Sequence, residues 1–370
     1  MRVVLDARVA SDHFPGIGRV AVELGRALAA TNGEDGIEVA FLVPAGPASG
    51  RLGALPEPRI PCATSPFAFT QHWSVPRALR RAGADAYHSL YYLTPRTPGL
   101  PTLLSCMDLI PLVRPETQPA WKRAIFTACF ADAASRAERL VAISESTRRD
   151  VCERFGVDPA RIDVIPLAAD DRFSPAPADA VAALRARLDL TAPFVLYVGS
   201  NKPHKNLVRL VEAFRIVAEA RPDLRLVVAG VWDPRYEEPR ARARDLGLGQ
   251  RVRFLGPVAD ADLPALYSAA RVFAFPSLYE GFGLPVLEAM RCGAPVVTSA
   301  TSSLPEVVGD AGITVDPNDA AAIADALARV IDDDGLHDDL ARRAVARAGE
   351  FTWRRAAAAH RALYRRLLSR

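Results

Sequence analysis

Disulfide and zinc patterns are missing from this chain. Its five cysteines (Cys62, Cys106, Cys129, Cys152 and Cys292) are scattered, odd in number and never in a Cys-x-x-Cys pair, so neither a disulfide framework nor a structural metal is expected. Long apolar runs are also missing. After Met1 and Arg2 the first run is only Val3 to Leu5, too short for a signal peptide, and no stretch approaches the roughly 20 apolar residues of a membrane span. A cytoplasmic protein is expected, one that reaches its substrate from the cytosol. Charge of one sign is not concentrated: 46 Lys and Arg face 43 Asp and Glu, for a formal net charge of +3. That balance falls short of the basic faces that carry nucleic acid, so no nucleic-acid partner is expected, while small phosphate-bearing ligands are compatible with it. No repeat is visible at short period.

What remains is an ordinary globular composition, 50% hydrophobic and 24% charged over 370 residues, long enough for two domains. Short runs rich in Val, Ile and Leu alternate with longer segments of helical periodicity, the pattern of βα units in parallel sheets, so the fold class is α/β. Strands are expected at 3–6, 38–43, 102–106, 140–143 and 162–166. A second series follows at 195–198, 224–229, 252–255, 272–275, 295–298 and 313–315. Ser144 is placed to cap a helix over 145–155. The Pro/Ala-rich stretch FSPAPADA, Phe173 to Ala180, separates the two series and marks the hinge, giving domains 1–174 and 175–352. The last segment, 353–370, reads as an amphipathic basic helix. Docking on the body of the protein is preferred for it over contact with a membrane surface, because its apolar face is only Ala, Leu and Tyr.

The stretch YEGFGLPVLEAM, 279–290, carries chemistry in its placement. It follows an expected strand ending at Phe275, so it caps the carboxyl end of a strand, where open α/β sheets bind ligands. Pro285 suits the first turn of a helix, whose start offers unpaired N–H groups and a positive dipole end to a phosphate. Gly281 and Gly283 let the backbone approach a ligand closely. Glu288 falls about one turn into that helix, where a carboxylate can accept from two neighbouring hydroxyls of a sugar or ribose. Chance alone supplies many glutamate pairs at this spacing, and the bland reading is one loop glutamate and one solvated helix glutamate.

The wider stretch YEGFGLPVLEAMRCGAPVVTSATSSLPEVVGDAG resembles the E-x7-E region of the retaining, two-domain GT-B glycosyltransferases of family 4. FPGIGR (14–19), MDLIPL (107–112), ISESTRRDV (143–151), VGSNKPHKNL (198–207), RVRFLG (251–256) and FTW (351–353) resemble that family in the expected order. The resemblance implies two Rossmann-like domains with parallel sheets facing across a crevice, an N-terminal acceptor domain and a C-terminal nucleotide-sugar domain, with the last helix packing back on the first. It implies that Glu288 binds the ribose of a nucleotide sugar, that Glu280 with Gly281, Phe282, Gly283 and Leu284 binds the transferred sugar, and that Lys205 neutralises the diphosphate, with Ser200 beside it. Gly16 and Gly18 would turn their backbone to the diphosphate. Arg253 would lie where the family's chain contacts the nucleobase, through backbone atoms, and its side chain is read as exposed. Catalytic roles fall to Glu280, Lys205 and Asp108, with Met107 in the sugar pocket. No cofactor or metal is implied; the partners are a nucleotide sugar and a glycan or lipid-linked acceptor, and peripheral contact at the inner face of a membrane is compatible. The overall look is nearest to bacterial mannosyl- and rhamnosyltransferases, which favours a GDP- or dTDP-linked donor.

Three rival readings compete. GIGRVA, 16–21, matches the letters of a dinucleotide fingerprint, with Glu38 at a ribose-binding distance, but residues 7–15 separate its first glycine from the strand where a tight turn is needed. The Asp-x-Asp letters at Asp260 and Asp262 suggest a metal site, yet their context reads as the N-cap and first turn of a helix; Asp332 to Asp334 lies between two helices. A non-catalytic sugar-nucleotide binder is the third. It draws on two departures from the family: Met107 stands where relatives commonly have histidine, and Ser200 where many have arginine.

Overall fold

The computed structural model describes residues 1–10, 15–46 and 50–369, so Phe14 of the FPGIGR stretch lies outside the described residues. The chain forms two units, Met1–Ala168 joined by the chain from Thr352 onward, and Ala169–Phe351. The first contains β1 (Arg2–Asp6), α1 (Pro15–Ala29), β2 (Glu38–Pro44), β3 (Arg59–Cys62), α2 (Gln71–Arg81), β4 (Ala86–Ser89), β5 (Thr102–Cys106), α3 (Ile110–Val113), α4 (Ala120–Arg136), β6 (Arg139–Ala142), α5 (Glu145–Phe155) and β7 (Ile162–Val164). The strands form one parallel sheet in the order β3-β2-β1-β4-β5-β6-β7. Interior strands such as β2, EVAFLVP, are buried from Val39 to Val43, which is why they read as continuous apolar runs and not as alternating ones. Ser144 caps α5 through a hydrogen bond from the Thr147 N–H to its side chain, and Gly156 ends that helix in the left-handed region.

Two strands of this sheet carry no apolar pattern and are not expected from the sequence. β3, RIPC, holds Pro61 and is tolerated as an edge strand. β4, AYHS, lies in the middle of the sheet with His88 and Ser89 fully buried. The imidazole is satisfied locally: its Nδ1 lies 2.8 Å from the Tyr364 hydroxyl and its Nε2 lies 2.8 Å from Ser105 Oγ. Because Val4 pairs with Tyr87 and Leu104 pairs with Ser89, these side chains share one face of the sheet. That face carries both α2, packed on Val4, Ala40, Leu42 and Tyr87, and α4, packed on Leu104, Cys106 and Leu140.

The second unit runs α6 (Ala178–Arg187), β8 (Phe194–Val198), α7 (Leu207–Glu219), β9 (Arg225–Ala229), α8 (Glu238–Asp245), β10 (Val252–Gly256), α9 (Leu263–Ser268), β11 (Val272–Phe275), α10 (Leu284–Arg291), β12 (Val296–Ser299), α11 (Leu304–Val308), β13 (Ile313–Val315), α12 (Ala320–Asp332) and α13 (Asp334–Ala348). Its parallel sheet has the order β10-β9-β8-β11-β12-β13. The units divide after Ala168, ahead of the Pro/Ala-rich stretch. That stretch is docked on the second unit: the Phe173 ring meets Tyr267 at 6.0 Å, and the Ala176 N–H donates to Ser268 Oγ.

The final helix, α14 (Trp353–Leu368), belongs to the first unit and lies against α1. Its Ala, Leu and Tyr face is buried, and so are His360 and Arg361. Arg361 donates to the carbonyls of Leu28, Thr31 and Ile37 and pairs with Asp35 at 2.6 Å. The apolar face expected to choose between docking and a membrane is thus occupied by protein. Among the described residues no helix is long and apolar enough to cross a membrane.

His88 and His360 stack at 5.4 Å inside this unit. Burial, and then the neighbouring His360, holds the His88 pKa well below the ordinary histidine range, and burial brings His360 down to about 4. Both imidazoles are neutral in the folded state, whereas the unfolded chain takes up protons near its ordinary pKa of about 6.5. The stability they contribute is therefore present above about pH 6.5 and is lost as pH falls toward the folded values. For His360 alone the loss between pH 7 and 5 is about 2 kcal/mol. Thermal unfolding measured across that range is expected to show this acid limb, and His360→Leu is expected to shrink it.

Candidate active site at the carboxyl edge of the second sheet

In the second sheet β8 is hydrogen-bonded to β9 on one side and β11 on the other. Chain order reverses there, and the loops leaving β8 and β11 diverge at the carboxyl edge to leave a crevice. The loop after β8 delivers Ser200, Asn201 and Lys205, the last ending a short 3-10 turn over Pro203–Lys205. The loop after β11 delivers Glu280 to Gly283 and runs into α10.

Lys205 Nζ lies 2.6 Å from Glu280 Oε1 and 5.2 Å from the centroid of Phe275. Both side chains are largely buried, at 16% and 9% exposure, so the charge on each is set against the other at low solvent access. The Glu280 loop is fastened from two sides. From the loop after β12, Ser302 Oγ accepts from the Glu280 N–H, and Ser303 Oγ donates to the carbonyls of Glu280 and Phe282. From the β8 loop, the Leu278 N–H donates to the His204 carbonyl, and Asn206 Nδ2 donates to the carbonyls of Pro276 and Pro317. These second-layer residues have no expectation attached in the sequence, although 301–303 fall inside the resembling stretch. Their signal is weak because serine, threonine and asparagine in loops ordinarily read as turn formers.

Gly283 occupies the N-cap of α10 at φ 107°, and a Cβ there would come within 2.7 Å of Leu304 Cδ2. Only glycine suits both demands. Leu284 and Pro285 open the helix; Pro285 has no N–H, and the Val286 and Leu287 N–H groups donate to the Gly283 carbonyl, so the N–H groups of Gly283 and Leu284 are the ones left over at the helix start. Glu288, one turn on, is 3% exposed, and its Oε2 accepts from the Tyr267 hydroxyl at 3.0 Å. Behind it, burial and then Glu288 push the Cys292 thiol up to about 12, which makes that cysteine unreactive.

The β8 and β9 loops are tied together as well. Asn201, 3% exposed, donates to the carbonyls of Asp233 and Tyr236 and accepts from the Asp233 N–H. At the root of the tie Gly230 sits at φ 131°, where a Cβ would lie 2.2 Å from the Gly199 carbonyl oxygen. Ser200 turns its carbonyl to the hydroxyl of buried Tyr197 at 2.7 Å.

Arg253 is not brought to this edge. It is the second residue of β10, and its guanidinium donates to the carbonyl and carboxylate of Asp189, which precedes β8 and so lies at the amino edge of the sheet. Asp260 and Asp262 pair with Arg172 and Arg187 respectively. Asp262 occupies the N-cap of α9 as expected, but its right-handed backbone (φ −88°, ψ −19°) leaves its side chain without a capping bond. Asp333 does cap α13, accepting from the Leu336 N–H.

In the first unit the remaining site residues also gather at a carboxyl edge. Gly16 and Gly18 lie in the first turn of α1 itself, not in a tight turn after β1, and a Cβ at Gly16 would meet nothing. Met107 and Asp108 follow β5, and Asp108 Oδ1 accepts from the Ile110 N–H. Met107 and Asp108 help to line a small cavity of about 60 Å³, with Ile17, Leu90, Phe126 and Phe130 among its apolar walls.

Two parallel Rossmann-like units, the second with a charged pair at its switch point beside a helix start, define the GT-B class of fold. Residues 15–173 match the family model of Glycosyltransferase Family 4 and residues 184–347 that of Glycosyl transferases group 1, and the chain belongs to this family. It is 38% identical over 222 residues to an O-antigen chain mannosyltransferase B of Escherichia coli, over 59% of this chain and 58% of that one. It is 38% identical over 239 residues to a D-inositol 3-phosphate glycosyltransferase of Salinispora tropica, over 60% of this chain and 49% of that one. The chain thus spans about half the length of these curated relatives. The fold matches that of Anabaena HepE, solved in complex with UDP and glucose, with a TM-score of 0.78 and 19% identity over 98% of this chain and 99% of that one.

Proposed function

We propose that this chain is a retaining hexosyltransferase, moving mannose or a 6-deoxyhexose from a nucleoside diphosphate sugar to a hydroxyl of a cell-surface glycan or its lipid-linked precursor. The observation that carries the reading is the Lys205–Glu280 pair beside the start of α10. A diphosphate set there meets the lysine, the positive end of the helix dipole and the N–H groups of Gly283 and Leu284. Glu280 faces the sugar and Glu288 the ribose. When the bond from C1 to the phosphate oxygen breaks, its electron pair stays on the diphosphate; the lysine and the helix start stabilise that growing charge more than they stabilise the bound donor. The acceptor oxygen then bonds to C1 on the face that the diphosphate leaves, and its proton ends on the departing phosphate. The mannosyltransferase and the UDP- and glucose-bound protein among the relatives support a nucleotide-sugar donor.

A thermal-shift screen of GDP, UDP, dTDP and ADP tests it, since ligand at about 100 times its Kd stabilises by about 2.7 kcal/mol. GDP or dTDP is expected to give the largest shift; no shift with any of the four would sink the reading. Glu288→Ala is expected to weaken both free nucleotide and nucleotide sugar, while Glu280→Ala mainly harms the sugar donor and turnover. Equal losses of free-nucleotide affinity in the two variants would overturn the division of roles. Nucleotide release on turnover separates an enzyme from a non-catalytic binder, and proton NMR of the early product reads whether the anomeric configuration is kept.

A further inference from the structure

Helix α2 carries a stripe that the reading above does not use. Trp73, Arg77 and Arg81 follow one another at four-residue intervals, so they stack along one side of the helix, and all three are exposed. At the amino end of that stripe is an aromatic corner: Phe67, Phe69 and Trp73 are 56%, 71% and 62% exposed. The Phe69 ring lies 5.3 Å from Trp73 and 5.1 Å from His72, and Phe67 lies 5.9 Å from Tyr91. Further along, α2 and the edge strand β3 wall a groove of about 530 Å³ whose lining includes Ser74, Arg77, Arg81, Arg2 and Arg59. Arg2 and Arg59 are engaged with nearby carbonyls and with Glu38 and Glu57. Arg77 and Arg81 have no ion-pair partner among the described residues. The Ser74 hydroxyl is buried in the wall without a hydrogen-bond partner.

We propose that this groove and the aromatic corner beside it hold a segment of an acidic glycan, an oligosaccharide chain bearing carboxylates. The proposal rests on the glycosyltransferase reading and gives its acceptor a chemistry. The C–H faces of sugar rings stack on exposed aromatic rings, which offer large contact area at low entropic cost. One and two helical turns on, Arg77 and Arg81 present planar guanidinium groups that match carboxylates in a two-pronged geometry. A concave groove with charged walls suits an extended chain. A bilayer would take the Phe67, Phe69 and Trp73 corner but leave the groove empty, whereas an oligosaccharide chain stacked on the corner runs on into the groove that Arg77 and Arg81 line.

Isothermal titration with hexagalacturonate, and with neutral maltohexaose for comparison, tests the assignment. The acidic hexamer is expected to bind at least about tenfold more tightly at low salt, as two charge-assisted contacts allow, with the difference closing as salt rises. Arg77→Gln/Arg81→Gln is expected to remove that advantage, and Trp73→Ala to weaken both hexamers. These side chains are exposed, so an unchanged Tm confirms that the variants fold; the salt dependence of the wild type tests the proposal without any variant. Equal affinity for the two hexamers, or an unchanged preference in the double variant, overturns it. Binding to phosphatidylglycerol vesicles that the double variant abolishes, with no hexagalacturonate binding, overturns it in favour of a membrane surface. Hexamer binding is read directly, so a nucleotide screen without any shift would defeat the glycosyltransferase reading and leave the groove result standing.

Discussion

Lys205→Ala is expected to lower kcat by roughly 10²-fold or more, the loss typical when one preorganised charge-stabilising group is removed from a reacting centre. The pairing of Lys205 with Glu280 at 2.6 Å offers two routes to such a loss. Either the lysine stabilises the departing diphosphate, or its removal leaves a carboxylate on a side chain only 9% exposed without its cation and damages the site by repulsion. Lys205→Ala/Glu280→Gln separates them. Relief of repulsion would leave the double variant no slower than Glu280→Gln alone, whereas loss of diphosphate stabilisation makes it slower than Glu280→Gln by about the factor that separates Lys205→Ala from wild type. Lys205→Arg keeps the charge in a wider, planar group and is expected to fall between wild type and alanine. The reaction is expected to proceed unchanged in EDTA. A loss of less than tenfold in Lys205→Ala would take the lysine out of the chemistry, and loss of activity to chelation would reopen the Asp260 and Asp262 pair as a metal site.

The second large effect concerns which sugar is moved. Methionine offers only a weak acceptor and an apolar thioether. Around Met107 the walls of the small cavity are mostly apolar, from Ile17, Leu90, Cys106, Phe126 and Phe130, and Tyr91, Tyr92, Ser105 and Asp108 complete its lining. We expect this cavity to take C6 of the transferred hexose and to favour a methyl group there over a hydroxymethyl. A buried hydroxyl without a partner costs about 1–3 kcal/mol, which corresponds to roughly 5- to 150-fold in kcat/KM. Comparing a nucleotide-linked hexose with its 6-deoxy form measures the preference, and Met107→His is expected to reverse it. Asp108 and the hydroxyls of Tyr91, Tyr92 and Ser105 are the rival partners for a 6-hydroxyl, although one Asp108 oxygen already accepts from the Ile110 N–H, Tyr91 donates to Tyr92, and Ser105 Oγ lies 2.8 Å from His88 Nε2. A wild type that prefers the 6-hydroxy donor tenfold or more would rule the expectation out.

The parts of the site that were legible in the sequence share a cause. Lys205, Gly281 to Gly283 and Glu288 follow strands whose Val, Leu and Phe runs are buried on both faces, and such strands announce themselves. Once those strands are read, the loops after them fall at the carboxyl edge by geometry. β4 was not legible because its burial rests on polar satisfaction of His88 by Ser105 and Tyr364, and Tyr364 is distant in the chain. For Arg253 the strand is clear, but only the fold shows that its side chain, on the second residue of β10, reaches Asp189 at the amino edge. The Ser302 and Ser303 fastening of the Glu280 loop involves common loop residues, which have no pattern of their own until the fold brings them together.

The sequence by itself determined the two βα series, the parallel sheets they form, and the loop that carries the glutamates, because local burial and turn chemistry act over a few residues. Tertiary structure alone decided that Lys205 and Glu280 form a pair, that Arg361 and His360 are buried in the last helix, and that Arg77 and Arg81 line a groove. Each of those depends on the distance between segments far apart in the chain. Strand order and crossover direction set such distances, and no residue pattern within either segment records them.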